Sequence, residues 1–218
     1  MFFTPQTLLS NVARERCLSN IKELPSFFRV KEQKPNVFAS VLVPLCINKN
    51  EVCLLYTLRS SKLNSHSGQV SFPGGKLDNN ETVYEAALRE TEEEIGVNRS
   101  DVDIWAKMPQ VQGRGSILVT PVVGLIKNFE YNNLRPNIDE VDEVFTVPIS
   151  ALCNRNSHGR LEFENMFLPV YLYEKYKIWG ITGLITHLFL QSLLPETVYD
   201  FHFDNKKFSF DELMPSKL

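Results

Sequence analysis

Three glutamates, Glu90, Glu93 and Glu94, lie three and four residues apart in the run ALRETEEEIGV. At 3.6 residues per turn that spacing puts them on one helical face. Like charges so placed repel by a few tenths of a kcal/mol per pair, so such a cluster persists where water screens it or a cation sits on it. Carboxylate oxygens are hard ligands that suit Mg²⁺ or Mn²⁺ better than zinc. An ion held by few carboxylates keeps positions for water and phosphate oxygens, which suits hydrolysis of a phosphoanhydride. Arg89, four residues before Glu93, is placed to orient one carboxylate. Most glutamate runs are only solvated surface, so spacing alone carries little weight.

The elements around this cluster are readable. Thr82 and Glu85 form a capping-box pattern, and Gly96 stands where a left-handed C-terminal residue belongs, predicting a helix between them. Tyr84, Leu88, Thr91 and Ile95 are predicted to face the core, with Glu90, Glu93 and Glu94 on a second face and Glu85 and Glu92 on a solvated third. Upstream, residues 6–24 have a helical pattern stopped by Pro25. Val37 to Ile47 reads as a buried strand, Asn48-Lys49-Asn50 as a turn, and Glu51 to Leu58 as the returning strand. A glycine-bearing loop then runs from Arg59 to Lys76.

Downstream, strands are expected at Asp103 to Val111, Ile117 to Ile126 and Val141 to Val147, with Pro148 opening a short helix. Shorter strands are expected at Leu161 to Phe163 and Val170 to Tyr173, then a helix from Gly180 stopped by Pro195. The mixture predicts one α/β or α+β sandwich: residues 1–36 as a helical extension, 37–195 as the main domain and 196–218 as a tail.

Composition narrows the classes. At 218 residues, with 43% apolar and 22% charged content, the chain can bury one sizeable core. A net charge of −3 gives no hint of a nucleic-acid or membrane surface. Cys17, Cys46, Cys53 and Cys153 show no metal-binding spacing and read as buried thiols of a reducing compartment. The apolar run Trp179 to Leu194 is too short and too polar to span a bilayer. Ser216-Lys217-Leu218 matches the peroxisomal address, so a peroxisomal matrix location and an import receptor are expected. The opening segment, with Glu15 and Glu23 among Arg14 and Arg16, makes a poor mitochondrial presequence.

Gly75, five residues, Glu81, seven residues, then Arg89-Glu90-Thr91-Glu92-Glu93-Glu94-Ile95-Gly96-Val97 resembles the Nudix box at every fixed position. The one departure is Thr91, where the box asks for an aliphatic residue. The resemblance implies the Nudix fold, a mixed sheet sandwiched between helices, and a divalent-metal-dependent hydrolase of nucleoside diphosphate derivatives. It implies Glu90, Glu93 and Glu94 as metal ligands, Arg89 as the residue orienting them and Gly75 as a tight backbone entry. A glutamate inside or outside the box would be the base, with Glu140 and Glu143 as outside candidates. A solvated strand edge is the plainer reading of that acidic run.

The preceding segment, LLYTLRSSKLNSHSGQVSFPGG, is similar to the signature of coenzyme A diphosphatases, with Tyr56 and Asn64 as departures. Trp179-Gly180-Ile181-Thr182 resembles a later stretch of the same subfamily. The implied substrate is coenzyme A or its thioesters, with Arg59, Lys62, His66, Gly74, Gly75 and Arg114 as candidate substrate contacts. Arginine suits bidentate phosphate contact, and His66 could bond a phosphate or only fix the loop. A hydrolase of NADH or ADP-ribose is the rival enzyme, and a Nudix-fold binding module the rival from another class.

Overall fold

The computed structural model describes residues 2–25, 37–63, 66–113, 117–163, 166–202 and 206–214. In chain order come helices α1 (Pro5–Leu8) and α2 (Asn11–Glu23), strands β1 (Val37–Asn48), β2 (Glu51–Arg59), β3 (Val70–Ser71) and β4 (Gly74–Lys76), and helix α3 (Val83–Ile95). Next are β5 (Val102–Lys107), β6 (Val111–Gln112), β7 (Ile117–Ile126), β8 (Val141–Pro148) and α4 (Ile149–Leu152). The chain continues through β9 (His158–Phe163), β10 (Met166–Tyr173), β11 (Tyr176–Ile178), α5 (Gly180–Leu193), β12 (Lys206–Phe208) and α6 (Phe210–Leu213).

The hairpin at the centre is explained by its turn. Lys49 and Asn50 take φ of 48° and 65°, the doubly left-handed turn whose twist matches the flanking strands. It pairs Asn48 with Glu51 and, further along, Leu45 with Leu54. A parallel β7 lies along the other edge of β1, from Val37 against Ile117 to Leu45 against Leu125. With β5 beyond β7 and β8 beside β2, these strands form the large mixed sheet.

Alternation along the strands separates two cores. Leu42, Cys46, Cys53 and Leu55 face α3 with Ala87 and Ile95. Val43, Leu45, Leu54 and Tyr56 face the other way, toward Ile185, Leu188 and Phe189 of α5 and Cys17 and Ile21 of α2. All four cysteines are free thiols, three of them buried. The N-terminal helix also serves the end of α5: Arg16 donates to Leu193 O at 2.8 Å and Asn20 to Ser192 O at 3.0 Å. These carbonyls belong to the last turn, where no intrahelical donor reaches them.

A second sheet runs β11-β10-β9-β12. Between it and α5 lies a buried polar knot. The Tyr171 and Tyr199 hydroxyls bond each other, Tyr199 also meets His187 Nδ1 at 2.8 Å, and Tyr56 meets Thr186 Oγ1 at 3.0 Å. His158 Nε2 sits 2.7 Å from Leu152 O. Among the described residues no helix is long and apolar enough to cross a membrane.

Candidate active site

α3 begins and ends as its sequence requires. Thr82 Oγ1 accepts from Glu85 N at 3.3 Å while Glu85 Oε2 accepts from Thr82 N at 2.8 Å, and Gly96 closes the helix at φ 76°. The helix sits closer to the sheet than its large residues suggest. Ala86 and Ala87 are fully buried, whereas Tyr84, read as a core residue, is 38% exposed. That approach rotates Glu94 inward beside Ile95, so it is only 4% exposed and leaves the polar face expected for it. Thr91 is buried too, and its hydroxyl donates to Ala87 O at 2.6 Å. The departure from an aliphatic residue is thus satisfied within the helix.

Arg89 organises the carboxylates. Its Nε and Nη2 bind Glu81 Oε1 and Oε2 at 2.8 and 2.9 Å, and Nη1 reaches Glu90 Oε1 at 2.9 Å and Glu93 Oε2 at 3.2 Å. Arg89 Nη2 also donates to Lys76 O at 3.1 Å, tying the fork to the glycine turn. The Arg89 hydrogen bonds hold the Glu81 carboxyl down at about 2, so the first glutamate of the pattern is the anchor of the arginine.

The glycines are steric necessities. A Cβ on Gly75 would lie 2.3 Å from Glu90 Oε1, and one on Gly74 would lie 2.3 Å from Ser40 O. Gly75 therefore makes room for the carboxylate itself, a role beyond the tight backbone entry expected of it.

Burial dominates the electrostatics. Desolvation pushes the Glu94 carboxyl up to about 8 against the opposing pull of Arg59, with Glu90 and Glu140 adding repulsion. Desolvation likewise raises Glu90, and Arg89 opposes it. Glu94 Oε2 is a buried oxygen with no hydrogen-bond partner among the described residues. No three His, Cys, Asp or Glu side chains among the described residues converge as a ready metal cluster. The donor set nevertheless fits a hard divalent cation: three oxygen ligands on one helix, one with an orphaned buried oxygen and two raised by burial and mutual repulsion. Glu90, Glu93 and Glu94 are the residues that would hold it.

The loop after β2 comes down beside these carboxylates. Arg59 Nη1 lies 3.9 Å from Glu94 Oε1, and its buried Nε has no partner among the described residues. Ser60 N donates to Glu140 O at 2.9 Å and Ser61 N to Asp142 Oδ2 at 2.9 Å, while Asn137 N donates to Glu94 O at 2.9 Å. The segment Asn137–Asp142 thus clamps this loop to the end of α3. Lys62 is exposed and paired with Asp139 at 3.1 Å; His66 Nδ1 meets Gln69 Oε1 at 3.1 Å.

Arg114 and Asn64 lie outside the described residues. Tyr56, the other departure, is a core residue stacked on Phe72 at 4.7 Å. Thr182 of the later stretch donates to Val70 O at 3.1 Å, next to the same loop.

Of the two outside glutamates, Glu140 has its charge felt by both Glu90 and Glu94. Glu143 pairs with Lys175 at 2.7 Å and lines a cleft of about 390 Å³ with Tyr131, Tyr173 and Tyr176, a cleft that no α3 carboxylate borders. Ser61 and Gln69 were not singled out from sequence, Ser60 entered only as part of the signature, and Asp139 and Asp142 only as members of the acidic run.

Residues 37–165 match the family model described as the NUDIX domain. The chain is 40% identical over 164 residues to the mitochondrial coenzyme A diphosphatase NUDT8 of Mus musculus, covering 72% of this chain and 78% of that protein. It is 41% identical over 166 residues to the Homo sapiens protein of the same name, covering 73% and 70%. Nudix hydrolase 3 of Caenorhabditis elegans is 36% identical over 206 residues, covering 84% and 86%. A MutT/nudix family protein from Enterococcus faecalis shares the fold at TM-score 0.50 and 18% identity, over 85% of this chain and 70% of that one.

The mouse and human relatives are named as mitochondrial, and this overturns the peroxisomal location read from Ser216-Lys217-Leu218, with the import receptor it implied. Three residues are a short address that also arises by chance, and these three lie outside the described residues. The box matches at its fixed positions, and each described residue of it has a steric or hydrogen-bonding role here. The chain belongs to the Nudix family of hydrolases.

Proposed function

We propose that this chain hydrolyses the diphosphate of coenzyme A or its thioesters, using Mg²⁺ or Mn²⁺. The products are adenosine 3′,5′-bisphosphate and 4′-phosphopantetheine or its acyl derivative. The observation that carries this is the seating of Arg59 beside Glu94, because it joins the loop that resembles the coenzyme A signature to the hydrolytic carboxylates. The names of the mouse and human relatives support the same substrate.

A bound divalent ion supplies charge neutralisation at the phosphates and a lowered pKa for the attacking water. The protein does the rest by position. Arg89, itself locked by Glu81, sets the orientation of Glu90 and Glu93. Arg59 and Lys62 offer cations to phosphate oxygens, with Arg59 suited to the bidentate contact; Gly74 and Gly75 let the backbone approach, and Arg114 is a further candidate cation. Lys62 has to leave Asp139, and an exposed pair of this kind costs at most about 1 kcal/mol to break. Glu140, or a glutamate of the box, takes the proton from water.

The experiment is hydrolysis of coenzyme A, NADH and ADP-ribose, each with Mg²⁺ and with Mn²⁺, by wild type and Glu94→Gln. Coenzyme A is expected to be cut best, and Glu94→Gln to lose about a hundredfold in kcat. Equal or better cleavage of the dinucleotides would overturn the substrate. Binding of coenzyme A without cleavage of any of the three would overturn the enzyme.

A further inference from the structure

We propose that the C-terminal segment Lys206–Met214 positions the substrate loop, acting through Gln69 on His66 and Arg59, and so sets affinity for the substrate. This rests on the reading of that loop as substrate-binding.

The segment is firmly seated. β12 runs parallel to β9, with Lys206 against Gly159 and Phe208 against Leu161. Gly159 is the seat of Phe208, since a Cβ there would lie 2.4 Å from the ring. Leu213 is buried with Phe208, Leu161 and Val170. Between them α6 carries a capping box, Ser209 N donating to Glu212 Oε2 at 2.7 Å and Glu212 N to Ser209 Oγ at 3.2 Å. Phe210 packs edge-on against Trp179 at 5.4 Å, and Lys177 donates to Glu212 O.

Met214 follows directly on this anchored turn. Its Sδ accepts from Gln69 Nε2 at 3.4 Å, across 145 residues of sequence. Gln69 in turn is the node of the loop. Its Oε1 meets His66 Nδ1 at 3.1 Å, its N donates to His66 O at 3.2 Å, and its O accepts from Arg59 N at 3.0 Å. His66 is held at φ 56°, a left-handed conformation uncommon for a residue with a side chain. The bond at Nδ1 fixes the ring plane and leaves Nε2 available to a ligand. Met214 is thus a positioning residue, acting through Gln69.

The test is a set of full-length variants. Met214→Ala is expected to raise KM for coenzyme A about fivefold, the worth of one hydrogen bond, with kcat within about twofold. Met214→Gln, which returns an acceptor, restores KM. In a Gln69→Ala background Met214→Ala changes KM no further. Without any substrate, hydrogen exchange at the Gly68 and Gln69 amides accelerates in Met214→Ala. Unchanged exchange, an equal KM effect with the Gln69 side chain absent, or a fall in kcat alone with lowered Tm would each overturn the proposal. If wild type fails to cut coenzyme A, the functional reading falls, and the exchange measurement still decides whether the segment holds the loop.

Discussion

Glu94 carries the sharpest tension in the molecule. It is buried, raised to about 8 by desolvation, and has one oxygen without a partner among the described residues. Without a cation, its ionised form costs stability at neutral pH, because the unfolded chain ionises near the ordinary glutamate value and the folded chain resists. Glu94→Gln should therefore lower kcat about a hundredfold and stabilise the metal-free protein at pH 8 by on the order of a few kcal/mol, seen as a raised Tm. Thermal unfolding in chelator reads this; an unchanged or lower Tm would mean that the buried carboxylate is already compensated. Glu81 presents the opposite case. Its work is to hold Arg89 by two hydrogen bonds, so Glu81→Gln, which cannot offer two carboxylate oxygens, should lower kcat by about ten- to a hundredfold, the usual cost of an orienting partner. Substrate affinity should change little, and a steady-state split of kcat from KM checks it.

At the scale of elements, α3 is the piece that the chemistry stands on. Thr82→Ala removes one half of its capping box and should cost about 1 kcal/mol, read as a lower urea midpoint with an unchanged m-value. Much of this helix was legible in the sequence: the cap, the closing glycine and the carboxylate spacing are all local signals. So were β1, β2 and their turn, where alternation and two turn residues suffice. What sequence did not reveal depends on contacts across the fold. Tyr84 looked like a core residue by periodicity, yet Ala86 and Ala87 set the packing distance and leave it exposed. β3, β4, β6, β11 and β12 are two or three residues long, too short for any period, and exist through their partners. The clamp by Asp142 on Ser61 N joins positions 81 residues apart, and no local pattern encodes it.

Over the whole molecule, two buried groups answer pH in opposite directions. Desolvation lowers His187 to about 4, with His158 adding repulsion. The unfolded chain binds that proton near 6.5 and the folded chain only near 4, so stability falls as pH drops through this window, by on the order of 3 kcal/mol. Glu94, raised in the fold, contributes the reverse slope from about 8 down toward 4.5. Metal-free wild type should therefore show a shallow profile between pH 6.5 and 4.5, and Glu94→Gln a steep acid loss. Urea midpoints across that range would check it, and parallel profiles would refute it. The N-terminal helix has a consequence of another kind. The family match spans residues 37–165, yet Cys17 and Ile21 before it share one core with Leu188 and Phe189 after it. Arg16 and Asn20 complete the last turn of α5. A fragment trimmed to the recognisable motif would expose that core and strip those carbonyls of their donors. The stretch that identifies the family is thus smaller than the piece of chain that can be cut out, moved or fused as a working part.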